Sequence, residues 1–301
     1  MPAIQATGLT KYYGDVRGVE DLTFSVEEGE AFGYLGPNGA GKTTTIRTLL
    51  GFIAPTDGTA SVLGADVRDA AALRAARKRI GYLPAEPGLD ESATGRELIR
   101  LHAGLKGDRR SDDLAALFDA PLDRAVGDYS RGNRQKLAIV LAFMHEPDLV
   151  LMDEPTSGLD PLMQERFYDF LDAERERGVT LFISSHILGE VRRVCERVGI
   201  VRDGRFVTVE SVSDLLDRAG KHVSLRVKGE VDPDDFAFEG VHDLSVDTTT
   251  TFTLTGGYDD LVDALDGYHV VDLEIEEAPL EEVFMRFYGE DDTGRVEEVV
   301  A

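Results

Sequence analysis

The chain has 301 residues, with 57 Asp and Glu against 32 Lys and Arg and a formal net charge of −25. That length holds one large or two modest domains with a buried core, and such acidity argues against nucleic acid as a direct partner, because phosphate backbones are bound by Lys and Arg. No apolar run in the sequence approaches the roughly 18 to 20 residues that span a bilayer, and the N-terminus lacks a signal-peptide pattern. A cytosolic protein is expected, with any membrane role coming through a partner.

Ile4–Leu9 and Val19–Val26 read as two short strands, the second alternating Leu22, Phe24 and Val26 on one face. Between them Lys11-Tyr12-Tyr13-Gly14-Asp15 reads as a turn with two exposed aromatics, either stacking on a ligand ring or packing on the sheet. Ala31–Leu35 is an apolar strand leading into Gly36-Pro37-Asn38-Gly39-Ala40-Gly41-Lys42-Thr43-Thr44. This stretch fits G-x-x-x-x-G-K-[ST], in which glycines let backbone N–H groups curl around phosphate and the lysine adds a mobile charge. Thr44–Leu50 continues as a helix whose N-terminus favours an anion. A nucleotide phosphate is the expected ligand.

Thr59–Leu63 is a further strand, Asp69–Lys78 a helix, and Ile80–Leu83 a buried strand stopped by Pro84. From Glu91 to about Ala120 the pattern is helical, with Leu98, Leu101 and Leu105, then Leu114, Leu117 and Phe118 as apolar stripes. Ser130 is a natural N-cap for a helix carrying Leu137, Val140, Leu141 and Met144. Leu149–Met152 reads as a central parallel strand ending at Asp153-Glu154-Pro155, which places both carboxylates at the carboxyl edge beside the phosphate loop.

Leu162–Arg177 is a helix, Val179–Ile183 a strand with the polar exit Ser184-Ser185-His186, and Val198–Val201 with Arg205–Val209 a hairpin. The alternation makes an α/β core with a parallel sheet. The one cysteine, Cys195, falls in the helical spacing of Leu188, Val191, Val194 and Val198 and reads as packing. Beyond residue 219 the character changes: Val223–Val227, Phe252–Leu254 and Val270–Ile275 read as strands, and Leu261–Leu265 and Leu280–Phe287 as helices. No catalytic or metal-ligating set appears there.

Transfer of a phosphoryl group to water needs charge neutralisation, a bound Mg²⁺ and a placed water. Lys42 and the loop N–H groups supply the first, Thr43 and Asp153 offer oxygens for Mg²⁺, and Glu154 is placed to take a proton from the water. His186, leaving the next strand at the same edge, is either structural or a donor to the terminal phosphate.

With these motifs in this order, residues 4 to 215 resemble the ATP-binding subunit of ABC transporters. Tyr13 falls where that family stacks an aromatic on adenine; Gly36–Thr44 is similar to its Walker A loop, Leu149–Glu154 to its Walker B strand with the catalytic glutamate, Ser157–Asp160 to its D-loop and His186 to its switch histidine. Tyr129-Ser130-Arg131-Gly132-Asn133-Arg134-Gln135 resembles the signature, usually Leu-Ser-Gly-Gly-Gln, keeping Ser130 and Gly132 but departing from Gly and Gln at Arg131 and Asn133. Such departures resemble those of ABC-2 type export systems.

The pattern after residue 219 reads as a small acidic α+β accessory domain over 220–290 and a disordered acidic tail over 291–301, while the resemblance implies a P-loop NTPase core of the ABC ATPase type over residues 1–219 with a helical subdomain at about 86–146. It implies ATP and Mg²⁺ as cofactors, with Asp160, Ser130 and Gly132 among the nucleotide-binding residues. It further implies a head-to-tail dimer in which Ser130 and Gly132 of one copy close the site built on Lys42 of the other, and a separate polytopic permease holding the protein at the cytoplasmic face of the membrane. The family places a glutamine after the Ile80–Leu83 strand; here Ala85 stands there, followed by Glu86. Either Glu86 substitutes by a small loop shift or hydrolysis is slower than in relatives. Two other readings stay open, a soluble ABC ATPase acting on ribosomes or nucleic acid and a non-hydrolysing, ATP-gated clamp.

The charge is uneven: residues 1–219 carry 27 Lys and Arg against 35 Asp and Glu, and residues 220–301 carry 5 against 22. Self-repulsion on this scale is tolerable where salt screens it, the Debye length being about 3 Å at 1 M. The alternatives are a halophile with a high-salt cytoplasm and an ordinary acidic protein. In a halophile the melting temperature rises with KCl between 0.1 and 2 M; a melt indifferent to salt over that range removes the high-salt reading.

Overall fold

The computed structural model describes residues 2–277; the expected helix Leu280–Phe287 and the acidic tail lie outside them. The chain divides into two units, residues 1–210 and 211–301, so the boundary falls ahead of the expected residue 219 and assigns one further helix to the second unit.

In chain order the first unit begins β1 (Pro2–Tyr13), β2 (Val16–Glu27), β3 (Ala31–Leu35), α1 (Lys42–Leu49), β4 (Asp57–Val62), β5 (Ala65–Asp66), α2 (Ala70–Ala76) and β6 (Ile80–Leu83). It continues α3 (Gly95–Lys106), α4 (Ser111–Leu117), α5 (Arg131–Phe143), β7 (Leu149–Asp153), α6 (Pro161–Glu176), β8 (Thr180–Ser185), α7 (Leu188–Val194), β9 (Arg197–Arg202) and β10 (Arg205–Ser211).

These strands form two sheets rather than one. A six-stranded sheet has the order β10-β9-β3-β8-β7-β6, with β9, β3, β8, β7 and β6 parallel. Its central strands β3, β7 and β8 are buried at every residue, as strands covered on both faces must be. The first two strands are longer than the sequence suggested and join β4 and β5 in an antiparallel sheet of order β2-β1-β4-β5. Phe24 of β2 stacks on Phe32 of β3 at 5.8 Å and meets Phe182 of β8 at 6.2 Å, so aromatic rings seal one sheet to the other. Ile46 and Leu49 of α1 enter the same core.

Phe118, Phe143 and Phe170 join α4, α5 and α6 through edge-to-face contacts of 5.3 and 4.9 Å. The expected apolar stripe of α3 is only partly buried. The helix buries Gly95, Leu98 and Ile99 in its first turns, while Leu101 and Leu105 are 59% and 64% exposed. Cys195 is buried directly after α7, and Val198 belongs to β9 instead of the helix.

The second unit comprises α8 (Val212–Ala219), β11 (Lys221–Val227), β12 (Val241–Val246), β13 (Thr250–Leu254), α9 (Asp259–Leu265) and β14 (Val270–Glu277). Its antiparallel sheet has the order β12-β13-β11-β14, and Val223, Leu225, Phe236, Phe252, Leu254 and Leu261 form its core. Strand β12 was not expected. Asp243 adopts a left-handed φ of 54° and the register shifts between His242 and Ser245, which breaks the alternation that marks a strand in sequence.

One carbonyl of β6 collects two donors, an ammonium and an imidazole N–H. Lys106 Nζ lies 2.6 Å and His145 Nε2 3.2 Å from Ile80 O, and His145 Nδ1 is buried without a partner. Burial, then the charge of Lys106, pushes the His145 imidazole down to about 4, and burial followed by Arg77 lowers Lys106 to about 8. The unfolded chain, with a histidine near 6.5, therefore binds the proton first as pH falls. Stability is present above about 6.5 and is lost toward 4. Thermal melts should show the wild-type chain losing stability across that window more steeply than His145→Gln, which keeps a donor without the titration; parallel pH profiles would refute the assignment.

Candidate functional site

Strand β3 delivers the chain to the phosphate loop at the carboxyl edge of the parallel sheet. The turn needs glycine for two reasons. A Cβ on Gly36 would sit 2.3 Å from Val201 O, and Gly41 has a φ of 102° with Gly18 O 2.6 Å from where its Cβ would be. Gly41 is also the N-cap of α1 and provides no side-chain cap, which suits a helix start that is to receive an anion. Lys42 is buried, its ammonium donating to Gly36 O at 2.6 Å and Pro37 O at 3.2 Å and lying 3.2 Å from Glu154 Oε1.

Two carboxylates face this loop from β7. Asp153 is 2% exposed; Thr43 Oγ1 donates to its Oδ2 at 2.7 Å and Ser184 Oγ donates to its Oδ1. Glu154 follows with φ 49°, a left-handed conformation that costs a branched or long side chain energy and persists where the fold imposes it. Its N–H donates to Ser184 O at 3.0 Å, and its Oε2 lies 2.7 Å from His186 Nδ1. Glu154 thus stands between an ammonium and an imidazole. Beneath them, Tyr34 bonds Thr45 at 3.0 Å and burial raises its phenol; Tyr82 is raised by burial and then by the Asp153 charge.

The loop and both carboxylates border a cavity of about 420 Å³ that also includes Tyr13, Val16, Arg17, Gly18 and Ala85. Tyr13 is 48% exposed at the end of β1, so its ring is not absorbed into the sheet. Arg17 and Gly18 on the cavity wall had no signal in the sequence. Ala85 offers a methyl group, and Glu86 is exposed and does not line the cavity. Thr43 and Asp153 are hard oxygen donors already within bonding distance of each other, a set that fits Mg²⁺, which takes few protein ligands and completes its shell with water and phosphate. Among the described residues no group of three or more His, Cys, Asp or Glu is placed to hold a metal.

Ser130, Gly132 and Asp160 do not line this cavity. Ser130 Oγ accepts from Asn133 N at 3.3 Å and caps α5, and Asp160 Oδ1 accepts from Met163 N at 2.9 Å and caps α6. A Cβ on Gly132 would meet Gly158 O at 2.8 Å, and Arg131 reaches Ser157 Oγ, so the start of α5 is packed on the Ser157–Asp160 loop. The structure thus forms two groups, Tyr13, Lys42, Thr43, Asp153, Glu154 and His186 in one and Ser130, Gly132 and Asp160 in another.

Residues 19–157 match the family model described as ABC transporter. The bacitracin transport ATP-binding protein BcrA of Bacillus licheniformis is 34% identical over 233 residues, covering 75% of this chain and 76% of that protein. The Nod factor export ATP-binding protein I of Mesorhizobium japonicum is 33% identical over 95% of this chain and 87% of its own length. The chain spans only 38% of the probable multidrug ABC transporter ATP-binding protein YbhF of Escherichia coli, at 34% identity. A solved ATP-binding subunit of an ABC transporter is 31% identical, with a TM-score of 0.67 over 72% of this chain and 92% of that one. A cassette solved as a dimer with ADP and phosphate shares the fold at 22% identity and a TM-score of 0.65. The chain belongs to the family of ABC transporter ATP-binding proteins.

Proposed function

We propose that the chain binds ATP in the cavity around Lys42, hydrolyses it as one of two head-to-tail copies, and powers a separate membrane-spanning export permease. The observation that carries this reading is the placement of Glu154 between Lys42 and His186 above the Thr43–Asp153 pair. Adenine stacks on Tyr13, and the phosphates take the N–H groups of Gly39 to Thr44 and the dipole of α1. Thr43 and Asp153 would hold Mg²⁺, which would supply neutralisation of phosphate charge.

Phosphate competes with Glu154 for Lys42. Once the ammonium turns to phosphate, the Glu154 carboxylate is free to accept a proton as water oxygen bonds to the γ-phosphorus and the bond to the β-phosphate oxygen breaks, leaving ADP and inorganic phosphate. His186 Nδ1 holds the carboxylate in place, leaving Nε2 for the phosphate side. Ser130 and Gly132, which do not line their own chain's cavity, face the γ-phosphate of a second copy, which makes ATP the link between copies. No helix among the described residues is long and apolar enough to cross a membrane. The relatives named for bacitracin transport and Nod factor export support export.

Ala85 favours a second reading, a clamp that binds ATP without turnover, since a methyl group neither ligates metal nor orients water. Glu154→Gln, purified with ATP from native membranes, should yield a stable ATP-bound dimer with a polytopic membrane protein, and turnover of the complex should fall by about 10²-fold or more, the usual contribution of a general base. Wild-type complex that binds ATP without turnover selects the clamp, and copurifying ribosomal proteins or nucleic acid select a soluble ABC ATPase.

A further inference from the structure

Glu190 on α7 is a buried carboxylate, 9% exposed, that does not border the cavity. Its Oε1 accepts from Thr156 Oγ1, and its Oε2 accepts from Ser185 Oγ at 2.6 Å. Thr156 follows Glu154 by two residues on the exit of β7, and Ser185 immediately precedes His186 on the exit of β8. Both hydroxyl residues are buried, at 5% and 0% exposure. Ser185 Oγ in turn accepts from Ile187 N at 2.9 Å, so His186 lies inside a loop closed by the same hydroxyl. On the other side, Gln135 of α5, 1% exposed, donates its Nε2 to Pro155 O at 2.7 Å. The segment Glu154-Pro155-Thr156 is therefore held from both flanks.

We propose that Glu190 is a positioning residue for hydrolysis: by accepting from Thr156 and Ser185 it locks the exits of β7 and β8 together, and so fixes Glu154 and His186 against each other. Burying a carboxylate is unfavourable unless hydrogen bonds replace its water, and here both oxygens are used by the two loops that carry the reacting side chains. Left-handed Glu154 cannot rely on regular strand geometry for its aim, because the ladder ends at Asp153. The tie through Thr156 supplies what the ladder does not. Gln135 sits on the helix begun by Ser130, so the same segment also meets the helix proposed to face the second copy's nucleotide.

The inference rests on the hydrolytic reading above, and its test separates the two. Glu190→Gln preserves volume but its amide nitrogen cannot accept, so one hydroxyl loses its acceptor; Glu190→Ala removes both. In the full chain with its membrane partner, kcat should fall about tenfold or more in both variants while KM for ATP stays within about twofold, as expected when reacting groups shift without loss of substrate contacts. In a crystal structure of Glu190→Ala the 2.7 Å contact between His186 Nδ1 and Glu154 Oε2 should be broken. A purely structural Glu190 would lower the melting temperature and leave kcat of the folded protein intact. Unchanged kcat, a loss confined to KM, or a retained His186–Glu154 contact overturns the proposal. A wild-type complex without turnover rejects hydrolysis instead, and the crystal structure then decides the role of Glu190 alone.

Discussion

Asp153 is the point at which three elements of the first unit meet. Its two oxygens accept one hydroxyl from α1 and one from β8, and its backbone ends β7. A buried carboxylate with both oxygens satisfied is costly to move, because any shift strands an acceptor or a donor without water. The parallel register that sets Asp153 opposite Ser184 therefore also fixes where the phosphate loop lies relative to the strand edge. Glu154, Lys42 and His186 inherit their positions from that arrangement.

The second group, Ser130, Gly132 and Asp160, is organised by helix capping and by close backbone approach. None of the three lines the cavity around Lys42. Arg131, which replaces a glycine of the family signature, finds a use inside the chain by covering Gly158 and bonding Ser157. A larger residue is accommodated there because it lies along the loop rather than across the helix start.

Much of this was legible in the sequence, for identifiable reasons. The glycine spacing of the phosphate loop and the apolar run before Asp153-Glu154 are local signals, since close approach and two-sided burial dictate residue type at each position. The antiparallel sheet is not separable from the strand–helix alternation in the sequence, because nothing in β1 or β2 alone says which sheet they join; Phe24, Phe32 and Phe182 decide it by packing. The helical stripe misled because α3 is covered only over its first turns, a tertiary fact. Ser184, Gln135 and Glu190 are ordinary polar residues in sequence, and Asp153, Pro155 and Thr156, which they respectively bond, lie 31, 20 and 34 positions away. The β12 bulge hid a strand by breaking its period.

The left-handed turn at Glu154 carries a consequence for how this position can vary. Elsewhere the chain assigns such backbone mostly to glycine and aspartate, which tolerate it at low cost. A glycine at 154 would relax the backbone and a glutamine would keep the shape, yet neither has the carboxylate. On the proposed role of Glu154 as the base, selection for backbone comfort and selection for chemistry pull in opposite directions at this one residue, and a glycine there would trade the carboxylate for a relaxed turn.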